Sequence, residues 1–153
     1  MVRTHYKGSR EEVRALNAFV KLVRASESVS TRIHRHLSDD GLTVSQFGVL
    51  EAIYHLGPLN QSEIAKKVLK STGNITLVVD NLEKRDLVKR ERQQEDRRYF
   101  AVRLTTKGRK LIGAVFPRHA SKIMEEMGVL SSAEQEVLGK LCRKLGLQQE
   151  TGK

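Results

Sequence analysis

A mainly α-helical fold carrying one small β-hairpin is predicted by three observations on this 153-residue chain. Apolar residues recur at three- and four-residue spacing through most of the length, the period of a helix with one buried face. That period gives way to strict alternation at 99–104, where Phe100, Val102 and Leu104 share one face and Tyr99, Ala101 and Arg103 the other. Helix-start signals, a small polar cap followed three residues later by Glu or Gln, recur at Ser9/Glu12, Thr43/Gln46, Asn60/Glu63 and Ser131/Glu134. The length fits a single domain, 1–153, able to bury a core.

In chain order, the first helix opens at Ser9 and carries Val13, Leu16, Phe19, Val20, Val23, Val29, Ile33 and Leu37 before Asp39-Asp40-Gly41 ends it. A run of roughly 30 residues exceeds the ordinary globular helix and implies packing against more than one partner. The second helix, from Thr43, has Phe47, Leu50, Ile53 and Tyr54 on its apolar face and stops at Gly57-Pro58. Asn60 opens a short third helix with Ile64, Ala65 and Val68 inward, and its exit, Leu69-Lys70, lacks the glycine common in such turns.

The fourth helix begins with Ser71-Thr72-Gly73-Asn74. Its apolar stripe is Ile75, Val78, Val79 and Leu82; the opposite face carries Gly73, Leu77, Asp80 and Lys84, flanked by Thr76 and Asn81. The hairpin follows: Leu87 to Arg92, a tip at 93–98 with no glycine, then Tyr99 to Leu104. Without glycine the tip reads as a longer loop and not a two-residue turn. Thr105 caps a fifth helix bearing Leu111, Ile112, Val115, Phe116, Ile123 and Met127, in which Pro117 is expected to produce a kink. A last helix places Val137, Leu138, Leu141, Cys142 and Leu145 on one stripe.

The formal net charge is +10 and the pI about 10.0, which points to a polyanionic partner, nucleic acid ahead of a membrane surface. Between Lys84 and Lys110 stand 11 Lys or Arg against 4 Asp or Glu, a net +7 of that +10. Charge that only keeps a protein soluble would be spread more evenly. No apolar run reaches membrane-spanning length, and the first ten residues lack the apolar centre of a secretory signal. A single cysteine excludes an internal disulfide and fits a reducing, cytoplasmic setting. No GxxxxGK[ST], HExxH, GxSxG or CxxC motif is present, so the chain is expected not to be an enzyme and to need no cofactor or metal.

A short helix, a tight connection, a longer helix with a small polar N-terminus and a basic hairpin form the order of a helix-turn-helix with a wing. Ser71 to Leu87, then Asp96-Arg97-Arg98, then Leu104-Thr105-Thr106-Lys107-Gly108, in that order and spacing, resemble the MarR (multiple antibiotic resistance regulator) family of bacterial transcription factors. The resemblance implies a mainly α fold with a small β-hairpin wing: a winged helix-turn-helix core at 43–104, with N- and C-terminal dimerisation helices at 9–38 and 105–148. It implies a homodimer on double-stranded DNA, with Arg98 entering the minor groove and Asp96 bracing it. Where many members carry Arg, this chain has Leu77, which leaves an apolar contact with a thymine methyl.

The candidate DNA-binding residues are Lys70, Ser71, Thr72, Gly73, Asn74, Thr76, Lys84, Asp96, Arg97 and Arg98. Small hydroxyl and amide side chains at a helix N-terminus suit phosphates and base edges, and Gly73 permits close approach. Ser71 serves equally well as a helix cap, and the two roles are compatible. The resemblance further implies a ligand-responsive repressor on a palindromic operator, with an effector pocket between the dimer helices and the core; Phe19, His34, Phe47 and Tyr54 are the residues expected near it. Redox or metal response are alternatives within the same fold. Cys142, on an apolar stripe, reads as a buried inert thiol. His34, His36, His55 and His119 show no zinc-ligand spacing and read as surface or capping residues. A winged module binding protein or RNA is the remaining class, disfavoured for RNA because aromatics make up only 5% of the chain.

Overall fold

The computed structural model describes residues 5–69, 72–92 and 100–147. These described residues form six α-helices and a three-stranded sheet: α1 Arg10–His34, α2 Val44–Leu56, β1 Leu59–Asn60, α3 Gln61–Val68, α4 Thr72–Lys84, β2 Val88–Arg92, β3 Phe100–Leu104, α5 Thr106–Met127 and α6 Ser132–Gly146. All four capping boxes form as the sequence dictates. Each cap oxygen accepts from the third helical amide, and that residue's own side chain accepts from the cap amide. Thr105 caps α5.

Two elements differ from the sequence reading. The first helix is α-helical only to His34; Arg35–Asp40 continue as a 3-10 helix, closed by Gly41 in the left-handed region at φ 65°. The hairpin is joined by a third strand, β1, whose Leu59 and Asn60 pair with Val102 and Ala101 of β3, giving the order β1-β3-β2. Two residues after Gly57-Pro58 are too short a run to show period-two alternation, which is why the sequence hid them. Helix α3 closes without glycine, its C-cap Leu69 itself taking the left-handed conformation, φ 54°, with its side chain in solvent. Helix α5 continues through Pro117 to Met127.

The core lies between α2, α3, α4, α5 and the sheet. Ile75, Val79 and Leu82 of α4 are fully buried, as are Val49 and Leu50 of α2, Ile64 of α3, Val102 of β3, and Ile112 and Val115 of α5. Val78 and Val68 pack at its edge. Val88 pairs with Leu104 and Arg92 with Phe100, so the buried end of the hairpin is apolar and the far end is exposed. The chain ends behave differently. Helix α6 buries no residue, and its stripe of Val137, Leu141 and Leu145 stays in solvent, with Cys142 exposed beside it. The expectation of a buried thiol is therefore corrected for the single chain: the stripe exists, but its own chain does not cover it.

The joint between hairpin and α5 is tightly specified. Thr105 Oγ1 donates to the Asp86 carbonyl at 2.6 Å and accepts from the Gly108 amide at 2.9 Å, while the Thr105 amide donates to the Leu87 carbonyl at 3.1 Å. A methyl group on Gly108 would lie 1.9 Å from that same Leu87 oxygen. Backbone would have to move to admit it. Gly108→Ala is expected to destabilise the fold by about 1–3 kcal/mol, read as a lowered melting temperature. An unchanged melting point would show that the joint is slack.

Candidate nucleic-acid interface

Burial of Ile75, Val79 and Leu82 fixes the rotation of α4 about its axis, and with it the face left outside. That face holds Gly73, Asn74, Thr76 and Leu77, all exposed, with Leu77 at 62% of its free accessibility. Nothing lies within 4 Å of where a Gly73 side chain would begin, so the glycine marks open surface at the first turn. Thr76 Oγ1 accepts a hydrogen bond from Gln61 Nε2 of α3 at 2.8 Å. Thr72 is the first residue of α4, and Lys84 lies exposed in its last turn, about 18 Å away along the axis. Lys70, Ser71, Asp96, Arg97 and Arg98 lie outside the described residues, as does the side chain of Thr72.

The basic charge counted in the sequence is partly engaged inside the molecule. Arg85 donates to the Gly41 carbonyl at 2.7 Å, tying the end of α4 to the start of α2, and Lys107 donates to the Arg85 carbonyl at 2.9 Å. Lys89 and Arg103, paired across the hairpin, both reach Glu91, at 2.8 and 3.1 Å. The hydrogen bond from Lys89, with Arg103 close by, holds the Glu91 carboxyl below its usual range. Arg92 lies over the Phe100 ring, 5.5 Å from its centre. Arg90 bridges to Asp80 and Glu83 of α4. Sequence reasoning missed this bridge, although two acids at i, i+3 on one helix face were a signal for it.

A helix presented by its small polar N-terminal turn beside a cationic two-stranded hairpin defines a winged-helix DNA-binding protein. The MarR family profile matches residues 42–100. The chain is 37% identical over 134 residues to the HTH-type transcriptional regulator MhqR of Bacillus subtilis (strain 168), a match spanning 88% of this chain and 92% of that protein. It therefore belongs to the MarR family of transcriptional regulators: it binds DNA and is not an enzyme. Among solved structures, Sco3205 of Streptomyces coelicolor in complex with DNA superposes with a TM-score of 0.81 at 22% identity, over 95% of this chain and 94% of that one. BpsR of Bordetella bronchiseptica, whose DNA binding is regulated by 6-hydroxynicotinic acid, gives 0.76 at 26% identity, over 84% of this chain and 98% of its own.

The four residues expected near an effector are only partly gathered. His34 and Phe47 line a cavity of about 390 Å³ with Val44, Glu51, His55 and Lys67. Phe47, Glu51 and His55 are four residues apart and share one face of α2, a pattern that could have been read directly. Burial pushes the Glu51 carboxyl up from its ordinary value. Tyr54 packs instead toward α5, its hydroxyl facing Gly113 and the Arg109 guanidinium 5.8 Å from its ring centre. Phe19 is 62% exposed, in an open apolar groove with Tyr6 and Leu16.

The histidines do not behave as isolated surface residues, which corrects the sequence reading. His119 of α5 is buried, with Phe47 4.4 Å from its ring centre, His34 5.4 Å and His36 5.5 Å away. His36 Nε2 and His119 Nδ1 lie 3.2 Å apart and share a hydrogen bond, and His34 Nδ1 is fixed at 2.8 Å from the Ser30 carbonyl. Spacing along one helix cannot reveal a partner brought by another. Among the described residues, no group of three or more His, Cys, Asp or Glu is arranged to hold a metal ion.

Burial, and then the nearness of His34 and His36, lowers His119 from 6.5 to about 4. His36 is lowered too, by burial and by Arg118, against the opposing pull of Asp40 and Asp39. The folded chain thus keeps His119 neutral where an unfolded chain would protonate it. The contribution of His119 to stability is complete above pH about 6.5 and is lost as pH drops toward about 4, by up to roughly 3 kcal/mol. Melting temperature against pH is expected to show this decline, and His119→Gln is expected to flatten it. Parallel curves for the two proteins would remove His119 as the cause.

Proposed function

We propose that the protein is a homodimeric, ligand-responsive repressor that reads a palindromic operator with two copies of α4 and its hairpin. The observation that carries the reading is the uncovered apolar surface contributed by both chain ends. The α6 stripe, Leu16 and Phe19 of α1, and Ile123 and Met124 of α5 are all exposed in the single chain. A soluble protein rarely leaves that much apolar surface open, and a two-fold interface covers it on both chains at once. Such a dimer presents two reading helices to half-sites about 10 bp apart on one face of the duplex. That Sco3205, of the same fold, was solved in complex with DNA supports DNA binding by this fold, and the regulation of BpsR by 6-hydroxynicotinic acid supports effector control. In this chain the cavity between His34, Phe47 and His55 is our candidate for the effector site. A ligand there acts only by preferring the dimer conformation that binds DNA poorly.

Within this reading Asn74 and Thr76, with Ser71 and Thr72, make the major-groove and phosphate contacts, and Gly73 lets the backbone come close. Lys70, Lys84 and Arg97 hold the DNA backbone. Arg98, braced by Asp96, enters the minor groove, where a narrow A·T tract attracts a guanidinium.

Selection of bound duplexes from a random library, followed by affinity against salt, tests the whole reading. A palindromic consensus with half-sites about one turn apart is expected, with affinity falling steeply as salt rises. Recovery of no enriched sequence would remove the operator-reading role. Arg98→Ala is expected to cost roughly 1–3 kcal/mol of specific binding while leaving the fold and the dimer intact. Equal affinity of a folded mutant would withdraw Arg98 from the minor groove.

A further inference from the structure

Arg90 stands in the middle of the basic hairpin, yet its charge is turned inward. We infer that Arg90 is a positioning residue for DNA recognition: it sets the hairpin against the reading helix and masks two carboxylates on that helix, without itself touching phosphate. Its side chain is 22% exposed, and all three guanidinium nitrogens meet protein oxygens. Nη2 donates to Asp80 Oδ1 and Nη1 to Glu83 Oε2, each at 2.5 Å. Nε and Nη2 both approach Gln61 Oε1 at 3.2 Å. The Arg90 backbone amide adds a bond to Glu83 Oε1 at 3.1 Å. One side chain therefore joins β2, α4 and the first turn of α3.

Two consequences give this a role in binding. Asp80 and Glu83 are only partly covered, their side chains 43% and 39% exposed, and they sit on the helix that must approach a polyanion. A planar guanidinium satisfies both carboxylates at once, where a lysine would offer a single point of charge. Gln61 extends the arrangement: its oxygen receives Arg90 and its nitrogen donates to Thr76 Oγ1, on the exposed face of α4. The orientation of a candidate contact residue is thereby linked to the hairpin through two side chains.

The test is a set of charge variants measured on folded, full-length protein, against the duplex recovered by the library selection. Arg90→Gln is expected to weaken binding about tenfold or more by unmasking the two acids, with the salt slope unchanged because no phosphate contact is lost. Adding Asp80→Asn and Glu83→Gln to Arg90→Gln is expected to restore most of the affinity. A slope shallower by about one, with no recovery in the triple variant, would mean that Arg90 binds phosphate directly and would overturn the inference. So would undiminished affinity in Arg90→Gln. Should Arg90→Gln fail to fold, Arg90→Lys decides. Weakened binding at unchanged salt slope supports the two-pronged hold, and wild-type affinity rules it out, since a point charge would then suffice.

Discussion

The face that α4 turns outward is set by what α4 buries. Ile75, Val79 and Leu82 are inaccessible to solvent, and each lies on the same stripe of a helix only three to four turns long. Burying three such side chains contributes several kcal/mol, about 1.5–3 each. Rotating the helix to present a different face would forfeit that contribution. Gly73, Thr76 and Leu77 are therefore held outward by residues buried in the core. The hairpin is aligned from the same core, because Val88, Val102 and Leu104 enter it from the sheet.

The helices were legible because their signals are local. Ser9 with Glu12, Thr43 with Gln46, Asn60 with Glu63 and Ser131 with Glu134 announce helix starts within four residues, and each forms the predicted pair of bonds. What escaped the sequence depends on distant partners or on very short runs. Strand β1 is two residues long and is defined by Val102 and Ala101, more than forty positions away. His119 is buried because Phe47, His34 and His36 surround it, and none of these is its neighbour in sequence. The candidate interface was half legible: Gly73, Asn74 and Thr76 follow from the phase of the α4 stripe. The internal use of Arg85, Arg90 and Lys107 does not follow from counting charge, because composition records a cation without recording what it faces.

Two polar clusters among the described residues differ in kind. Near α4 the groups are arranged around charge, with Arg90, Asp80, Glu83 and Gln61 in one connected set. At the junction of α1 and α5 the central group is the imidazole of His119 beside the Phe47 ring, held without charge by burial. Protonation penalises the second cluster and leaves the guanidinium of the first unchanged, since arginine keeps its proton throughout the accessible range.

Gly108 changes what the motif around it means. The stretch Leu104-Thr105-Thr106-Lys107-Gly108 helps to mark the chain as a winged-helix regulator, yet its threonine and glycine are occupied with the Asp86 and Leu87 carbonyls. The motif is the signature of a joint, dictated by the space between two backbones. If residues 73–77 read the operator as proposed, a descendant could keep every letter of the motif, change that stretch and read another sequence altogether. On the proposed reading, kinship and specificity are written in separate parts of the chain, and the first can be inherited unchanged while the second drifts.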